Sequence, residues 1–222
     1  MRASLTHPIH VIDFEGSPVS GIVEFGIATL ENGRITHSHS RLCRALNSIP
    51  WEETLVHGIS TDETLTEPPF SAEWERFSGL RQTGPLSAHN ARFEDMLLSS
   101  TWQLTQLSPN FIDPRKPLST WGPWLDTCAL YRRLYPSAPS HKLGSLIELF
   151  DLQDELDEVA REHCPPARRV YHAALYDAIA AALLIVRLLR CPEFSNVSLP
   201  WLIAHSSASA RQLRETQQLE LF

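Results

Sequence analysis

Three short segments of the chain carry residue types that could do chemistry together. The first is His10-Val11-Ile12-Asp13-Phe14-Glu15, which reads as an apolar strand ending in two carboxylates. Ile9, Val11 and Ile12 supply the β-branched character of a buried strand. Alternation with period two puts Asp13 and Glu15 on one face and Phe14 on the other. Two neighbouring acids repel, and burial favours their neutral forms. A divalent cation would remove that cost. A strand edge running into a solvated acidic turn would carry the same residues without a site. The second segment is His89-Asn90-Ala91-Arg92-Phe93-Glu94-Asp95, at a strand-to-helix junction. The third holds His172 and Asp177, at the start of the last long helix. Five residues along a helix rotate by about 140°, so these two would not share one helical face. His172 therefore reads as a loop residue and Asp177 as part of the first turns. Four carboxylates and one histidine suit two-metal phosphodiester hydrolysis. Metals bridge the phosphate, acidify a bound water and stabilise the leaving oxygen. A histidine that titrates near neutrality can take the water's proton.

The elements around these segments predict an α/β fold. Residues 8–15 read as the first strand. Ile22 to Leu30 and Arg34 to Arg44 read as a hairpin turned at Glu31-Asn32-Gly33. Residues 47–70 read as irregular. Ser71 is placed to cap a helix through about Phe77. Pro85 to Ala88 reads as a short buried strand. The helix after it carries Phe93, Met96, Leu97 and Trp102 on its apolar stripe. Residues 108–123 read as a long loop, and Trp124-Leu125-Asp126 as the last strand. Helices follow from Thr127 to Leu134, Lys142 to Phe150 and Ala173 to Arg190, with an acidic helix or loop over 151–163. Cys191-Pro192 stops the long helix, and residues 191–222 read as a tail.

Composition sets broad limits. The 222 residues are enough for one sizeable domain plus an appendage. A net charge of −7 means that bulk electrostatics does not recruit nucleic acid. A local basic patch or a partner would have to hold such a substrate. Cys43, Cys128, Cys164 and Cys191 form no CxxC pair, which fits free thiols in a reducing cytoplasm. The N-terminus shows no apolar signal core. The most apolar run, Ala178 to Val186, is too short to span a bilayer.

Read together, the segments resemble the histidine (DEDDh) branch of the DnaQ-like 3′–5′ exonucleases, over roughly residues 8–190. The resemblance rests on Val11-Ile12-Asp13-Phe14-Glu15, Ile22-Val23-Glu24-Phe25-Gly26, His57-Gly58-Ile59-Ser60 and Ser87-Ala88-His89-Asn90-Ala91-Arg92-Phe93-Glu94. It continues through Leu125-Asp126-Thr127, His141-Lys142-Leu143-Gly144-Ser145-Leu146 and His172-Ala173-Ala174-Leu175-Tyr176-Asp177-Ala178. It implies a ribonuclease H-like mixed five-stranded sheet flanked by helices. It also implies two divalent ions, Mg²⁺ or Mn²⁺, held by Asp13, Glu15 and Asp177, with His172 as general base. The sister branch places a tyrosine four residues before the last aspartate, where this chain has Ala173. The family's remaining acid falls on Glu94, with Asp95 as the alternative; Phe93 sets the register in favour of Glu94. After Glu15 this chain has Gly16-Ser17-Pro18 where many relatives have Thr-Thr-Gly, so its nucleotide pocket is expected to differ.

The resemblance makes Phe14, Gly16, His57, Ile59 and Asn90 the substrate-facing set. Asn90 also reads as a cap for the helix after it, as does Asp126 for the next. Trp102, Trp121 and Trp124 could stack on bases, but core packing is the stronger reading. At the far end, Gln218 to Phe222 resembles the peptide by which bacterial replication proteins dock on the sliding clamp. Gln218 would fix the register, Leu221 and Phe222 would fill an apolar pocket, and Leu219 belongs to the same docking peptide. Tethering would raise the effective concentration of an acidic enzyme at DNA. The expectation is a cytoplasmic exonuclease acting on DNA 3′ ends beside a polymerase subunit, over residues 1–190, with a docking tail. An RNA-trimming relative and an inactive binding module are the competing expectations.

Overall fold

Alternation along β1 (Ile9–Ser17) sorts its side chains between two separate cores. Ile9 and Val11 face one cluster, and Ile12 and Phe14 face the other. The computed structural model describes residues 5–103 and 106–207. β1 pairs antiparallel with β2 (Gly21–Glu31), which pairs antiparallel with β3 (Arg34–Leu42). On its other side β1 runs parallel to β4 (Leu86–Ala88), and β4 parallel to β5 (Leu125–Asp126). The order is β3-β2-β1-β4-β5, a mixed five-stranded sheet as the sequence predicts.

The helices are α1 (Trp51–His57), α2 (Thr61–Thr64), α3 (Trp74–Thr83), α4 (Ala91–Thr101), α5 (Thr127–Leu134), α6 (Leu143–Leu149), α7 (Gln153–His163), α8 (Ala174–Arg190) and α9 (Leu199–Ser207). One face of the sheet is covered by α8, backed by apolar residues of α5, α6, α7 and α9. Nearly every residue of α8 up to Leu188 is buried. Each fully buried Leu or Ile contributes about 1.5–3 kcal/mol, so this helix is the main anchor of that layer. The opposite face is aromatic. Phe14, Phe25, Phe70 and Phe77 meet edge-on or tilted, and Trp102 and Trp121 close the cluster. The tryptophans therefore pack rather than stand free. Trp121 is 1% exposed.

Several local expectations are corrected. Residues 47–70 are not irregular: they hold α1 and α2. Glu52 and Glu53 occupy the first turn of α1, and Gly58, at φ 75°, ends it. The Glu63 carboxylate accepts both the N–H and the hydroxyl of Ser60 at the start of α2. Both helices are too short to leave a periodic apolar signal. The helix expected from Ser71 starts at Trp74, after a 3₁₀ turn over Phe70–Glu73, and runs on to Thr83. Met96 lies outside the apolar stripe of α4, at 42% exposed. Asn90 does not cap α4 with its side chain, because it adopts a left-handed conformation at φ 81°. The Asp126 carboxylate does so instead. It accepts from the N–H groups of Asn90 and Ala91 at 3.1 Å and also caps α5 through Ala129 N–H at 3.0 Å. The segment read as tail begins with structure: Leu199, Leu202 and Ile203 of α9 join the α8 core. Residues 208–222 lie outside the described residues.

Two glycines permit the geometry at the end of β1. The pairing of β1 with β2 shifts register between Glu15 and Gly16, and Gly16 has φ +125° with no room for a Cβ. Gly26 is paired with Asp13, and a Cβ there would lie 2.2 Å from the backbone nitrogen of Leu175. The start of α8 therefore rests directly on the strand beside Asp13. Gly26→Ala is expected to cost about 1–3 kcal/mol or more through overpacking, seen as a Tm several degrees lower. Gly79→Ala is the control. Its Cβ would meet nothing within 4 Å, and alanine is favoured in a helix by about 1 kcal/mol, so Tm should rise.

Candidate active site

The side of β1 that carries Ile9 and Val11 under α8 also carries Asp13 and Glu15 at the strand's C-terminal end. Asp177 enters from the first turn of α8. Ligand-type atoms of Glu15, His172 and Asp177 all lie within 4.8 Å of one another. His172 sits just before α8, as its spacing from Asp177 predicts. Its imidazole-bearing residue is exposed while Glu15 and Asp177 are buried. Its backbone is left-handed at φ 64°, and its N–H donates to Asp177 Oδ2 at 2.9 Å.

Glu94 comes from the first turn of α4 and is 4% exposed. Glu94 Oε2 and Asp177 Oδ1 are buried with no hydrogen-bond partner among the described residues. Asp95 turns away, and its Oδ1 accepts from Trp124 Nε1 at 2.8 Å. Of the two acids left open by the sequence, Glu94 is the one brought to Asp13 and Glu15.

The electrostatics follow from this crowding. Burial, then Asp177, Glu15, Glu94 and Glu24, hold Asp13 well above the usual carboxylate range. Burial, with Asp177 and Glu24, pushes Glu15 to about 8. Burial, with Asp126 and Glu15, pushes Glu94 to about 8. Burial and Glu24 raise Asp177 to about 7, opposed by the N–H of His172 and by Arg168. Hard carboxylate oxygens, two of them buried and unpartnered, plus an imidazole, are the donor set a divalent cation takes. The residues present thus fit such ions.

The other predicted site residues are placed as follows. Phe14 turns its ring into the aromatic core, on the face opposite the acids. Gly16 forms the bulge beside Glu15. His57 and Ile59 are buried in a tight turn, with His57 Nδ1 accepting from Ile59 N–H at 3.1 Å. His89 is held by the Thr127 hydroxyl and the His141 carbonyl. Asn90 lines a cleft of about 870 Å³ that also reaches His172 and Asp177. Arg132, Lys142 and Tyr171 line the same cleft, and sequence reasoning did not single them out. It also missed Glu24 and Arg168. Glu24 is a lone buried acid in a strand that is otherwise almost wholly apolar, and that was its signal. Gln218, Leu219, Leu221 and Phe222 lie outside the described residues. Among the described residues, no helix is long and apolar enough to cross a membrane.

The sheet order and its flanking helices are those of the ribonuclease H-like exonucleases. Exonuclease X, solved in complex with 5′ overhanging duplex DNA, superposes with a TM-score of 0.63 at 20% identity, covering 90% of this chain and 99% of that one. The nuclease domain of 3′hExo, described as a DEDDh family member bound to rAMP, gives 0.61 at 17% identity, covering 85% and 94%. A family model described as Exonuclease matches residues 11–185. The chain belongs to this exonuclease family, in its DnaQ-like group. Two bacterial relatives are DNA polymerases III of PolC type. That of Halalkalibacterium halodurans is 26% identical over 81% of this chain, and that of Streptococcus mutans 25% over 79%. The chain spans 11% of the length of either relative.

The raised carboxylates make a signed prediction. Their folded pKa lies above the unfolded value. Their contribution to the stability of the metal-free fold is therefore greatest below the ordinary carboxylate range and is lost as pH rises towards about 8. A divalent cation should offset that loss. The Tm gain from Mn²⁺ should be larger at pH 8 than at pH 6 in differential scanning fluorimetry. Asp13→Asn should raise the metal-free Tm at pH 8 and shrink the Mn²⁺ gain.

Proposed function

We propose that the chain is a metal-dependent 3′–5′ exonuclease that removes nucleoside 5′-monophosphates from DNA 3′ ends, proofreading beside a replicative polymerase in the cytoplasm. The observation that carries this reading is the convergence of Asp13, Glu15, Glu94 and Asp177, with unpartnered buried oxygens, beside an exposed histidine. When bound, two divalent ions, Mg²⁺ or Mn²⁺, supply Lewis-acid stabilisation of the phosphate and a more acidic water. The four carboxylates would hold them. His172 takes the proton of the attacking water at the ring nitrogen beside Glu15 and Asp177. The terminal phosphodiester breaks, the nucleotide leaves with its 5′ phosphate, and the shortened strand keeps a 3′ hydroxyl. The strand itself lies along the cleft, where Arg132 and Lys142 offer cations to its phosphates. Likeness to PolC-type polymerases supports a polymerase partner. In this reading residues 1–190 are the catalytic domain, and residues 218–222 dock on a sliding clamp.

A 5′-labelled DNA primer with a mismatched 3′ end tests the reading, with an RNA strand of the same sequence alongside, under Mg²⁺, Mn²⁺ or EDTA. Stepwise shortening of DNA is expected, lost with EDTA. His172→Ala should lower kcat by about 10²–10⁴-fold. Glu94→Gln should fall about as far, while Asp95→Asn stays within a few-fold. RNA shortened in preference to DNA would transfer the reading to an exoribonuclease. Shortening of neither strand under any metal would sink it and favour an inactive binding module.

A further inference from the structure

Arg168 belongs to none of the segments that suggest catalysis, yet it lies at the centre of a network reaching three walls of the site. It ends a short 3₁₀ turn over Pro166–Arg168. Its Nε donates to Glu24 Oε1 at 3.1 Å, and its Nη2 pairs with Glu24 Oε2. Nη1 donates to the His57 carbonyl at 2.8 Å, and Nη2 to the His172 carbonyl at 3.2 Å. Glu24 in turn accepts the N–H of Ala174, the first residue of α8, at 3.0 Å. One guanidinium and one carboxylate thus join β2, the end of α1 and the loop that enters α8. The planar fork of arginine can serve several acceptors at fixed angles, which a lysine cannot.

The contact to His172 is the informative one. A non-glycine residue keeps a left-handed backbone only where its surroundings hold it there. His172 has both of its backbone polar groups bonded: its N–H to Asp177 and its carbonyl to Arg168. Release of the carbonyl would let φ relax to a negative value and carry the ring away from Glu15 and Asp177. We infer that Arg168, clamped by Glu24, is a positioning residue. It fixes the backbone of His172 for proton transfer and ties that backbone to the His57 turn. The inference rests on the proposed exonuclease reading for its kinetic consequence, but its structural claim stands without it. The neighbouring Arg169 is a natural control. It donates to the carbonyls of Cys164 and Arg161 and, among the described residues, bonds neither Glu24 nor His172.

The test compares wild type, Arg168→Ala, Arg168→Lys and Arg169→Ala by two readouts. The first is amide hydrogen exchange in the metal-free protein. His172 N–H should exchange at least tenfold faster in Arg168→Ala, with amides in the middle of α8 unchanged and Arg169→Ala like wild type. The second is kcat and KM on the labelled DNA strand with Mn²⁺. A displacement of about 1 Å at a reacting group can cost about 10²-fold. Arg168→Ala should therefore lose about that much in kcat, with KM raised several-fold through the His57 turn. Arg168→Lys should lose about tenfold, and added guanidinium ion should restore part of the activity of Arg168→Ala. A purely structural role would lower Tm without guanidinium rescue. Exchange at His172 and kcat both within twofold of wild type would overturn the inference. If Arg168→Ala does not fold, Arg168→Lys decides by the same readouts. If wild type cleaves neither DNA nor RNA, the exonuclease reading fails, while the exchange data still decide whether Arg168 holds His172.

Discussion

The fold must keep several carboxylates close together, most of them buried where water screens them poorly. Burial raises the pKa of Asp13, Glu15, Glu94 and Asp177, neighbouring acids add to it at each, and Glu24 does so at three of them. Nothing in their mutual electrostatics favours that arrangement. It is imposed by apolar burial elsewhere: α8 along one face of the sheet and the phenylalanine cluster along the other. The hydrophobic layers hold the acids where their charges alone would drive them apart.

The half-buried cation paired with Glu24 at the edge of this cluster is equally informative. Arg168 meets Glu24, not the four acids, and so relieves the field without occupying the space a metal would need. Had it bonded Glu15 or Asp177 directly, the carboxylate oxygens would be satisfied and the metal-binding capacity lost. Arginine in this position separates two tasks. Charge compensation falls to β2, while the lone pairs of β1 and α8 stay available.

Much of this could be read from the sequence wherever the relevant physics is local. Period two along β1 placed Asp13 and Glu15 on one face, and the five-residue spacing put His172 off the helix that carries Asp177. The order of segments carried the sheet and the family. Two features depend on distant residues, and a third leaves no periodic signal. The choice between Glu94 and Asp95 is made by Trp124, which takes Asp95 from another part of the chain. The pairing of Glu24 with Arg168 spans most of the domain, and neither residue alone announces a partner. The short α1 and α2 rest on caps and acids in their first turns, not on periodicity. Asn90 shows the opposite failure. Its residue type suits a cap, but its left-handed backbone passes that task to Asp126.

Asp126 is also a mechanical joint. Its two oxygens accept from N–H groups at the starts of α4 and α5 together, so both helix N-termini are tied to one side chain. Glu94 rides on one of them and Arg132 on the other. A strand that spreads the cleft by pushing on Arg132 would therefore bear on the acid through Asp126. In the proposed exonuclease reading, this one side chain links the residue offered to the strand with the residue offered to a metal.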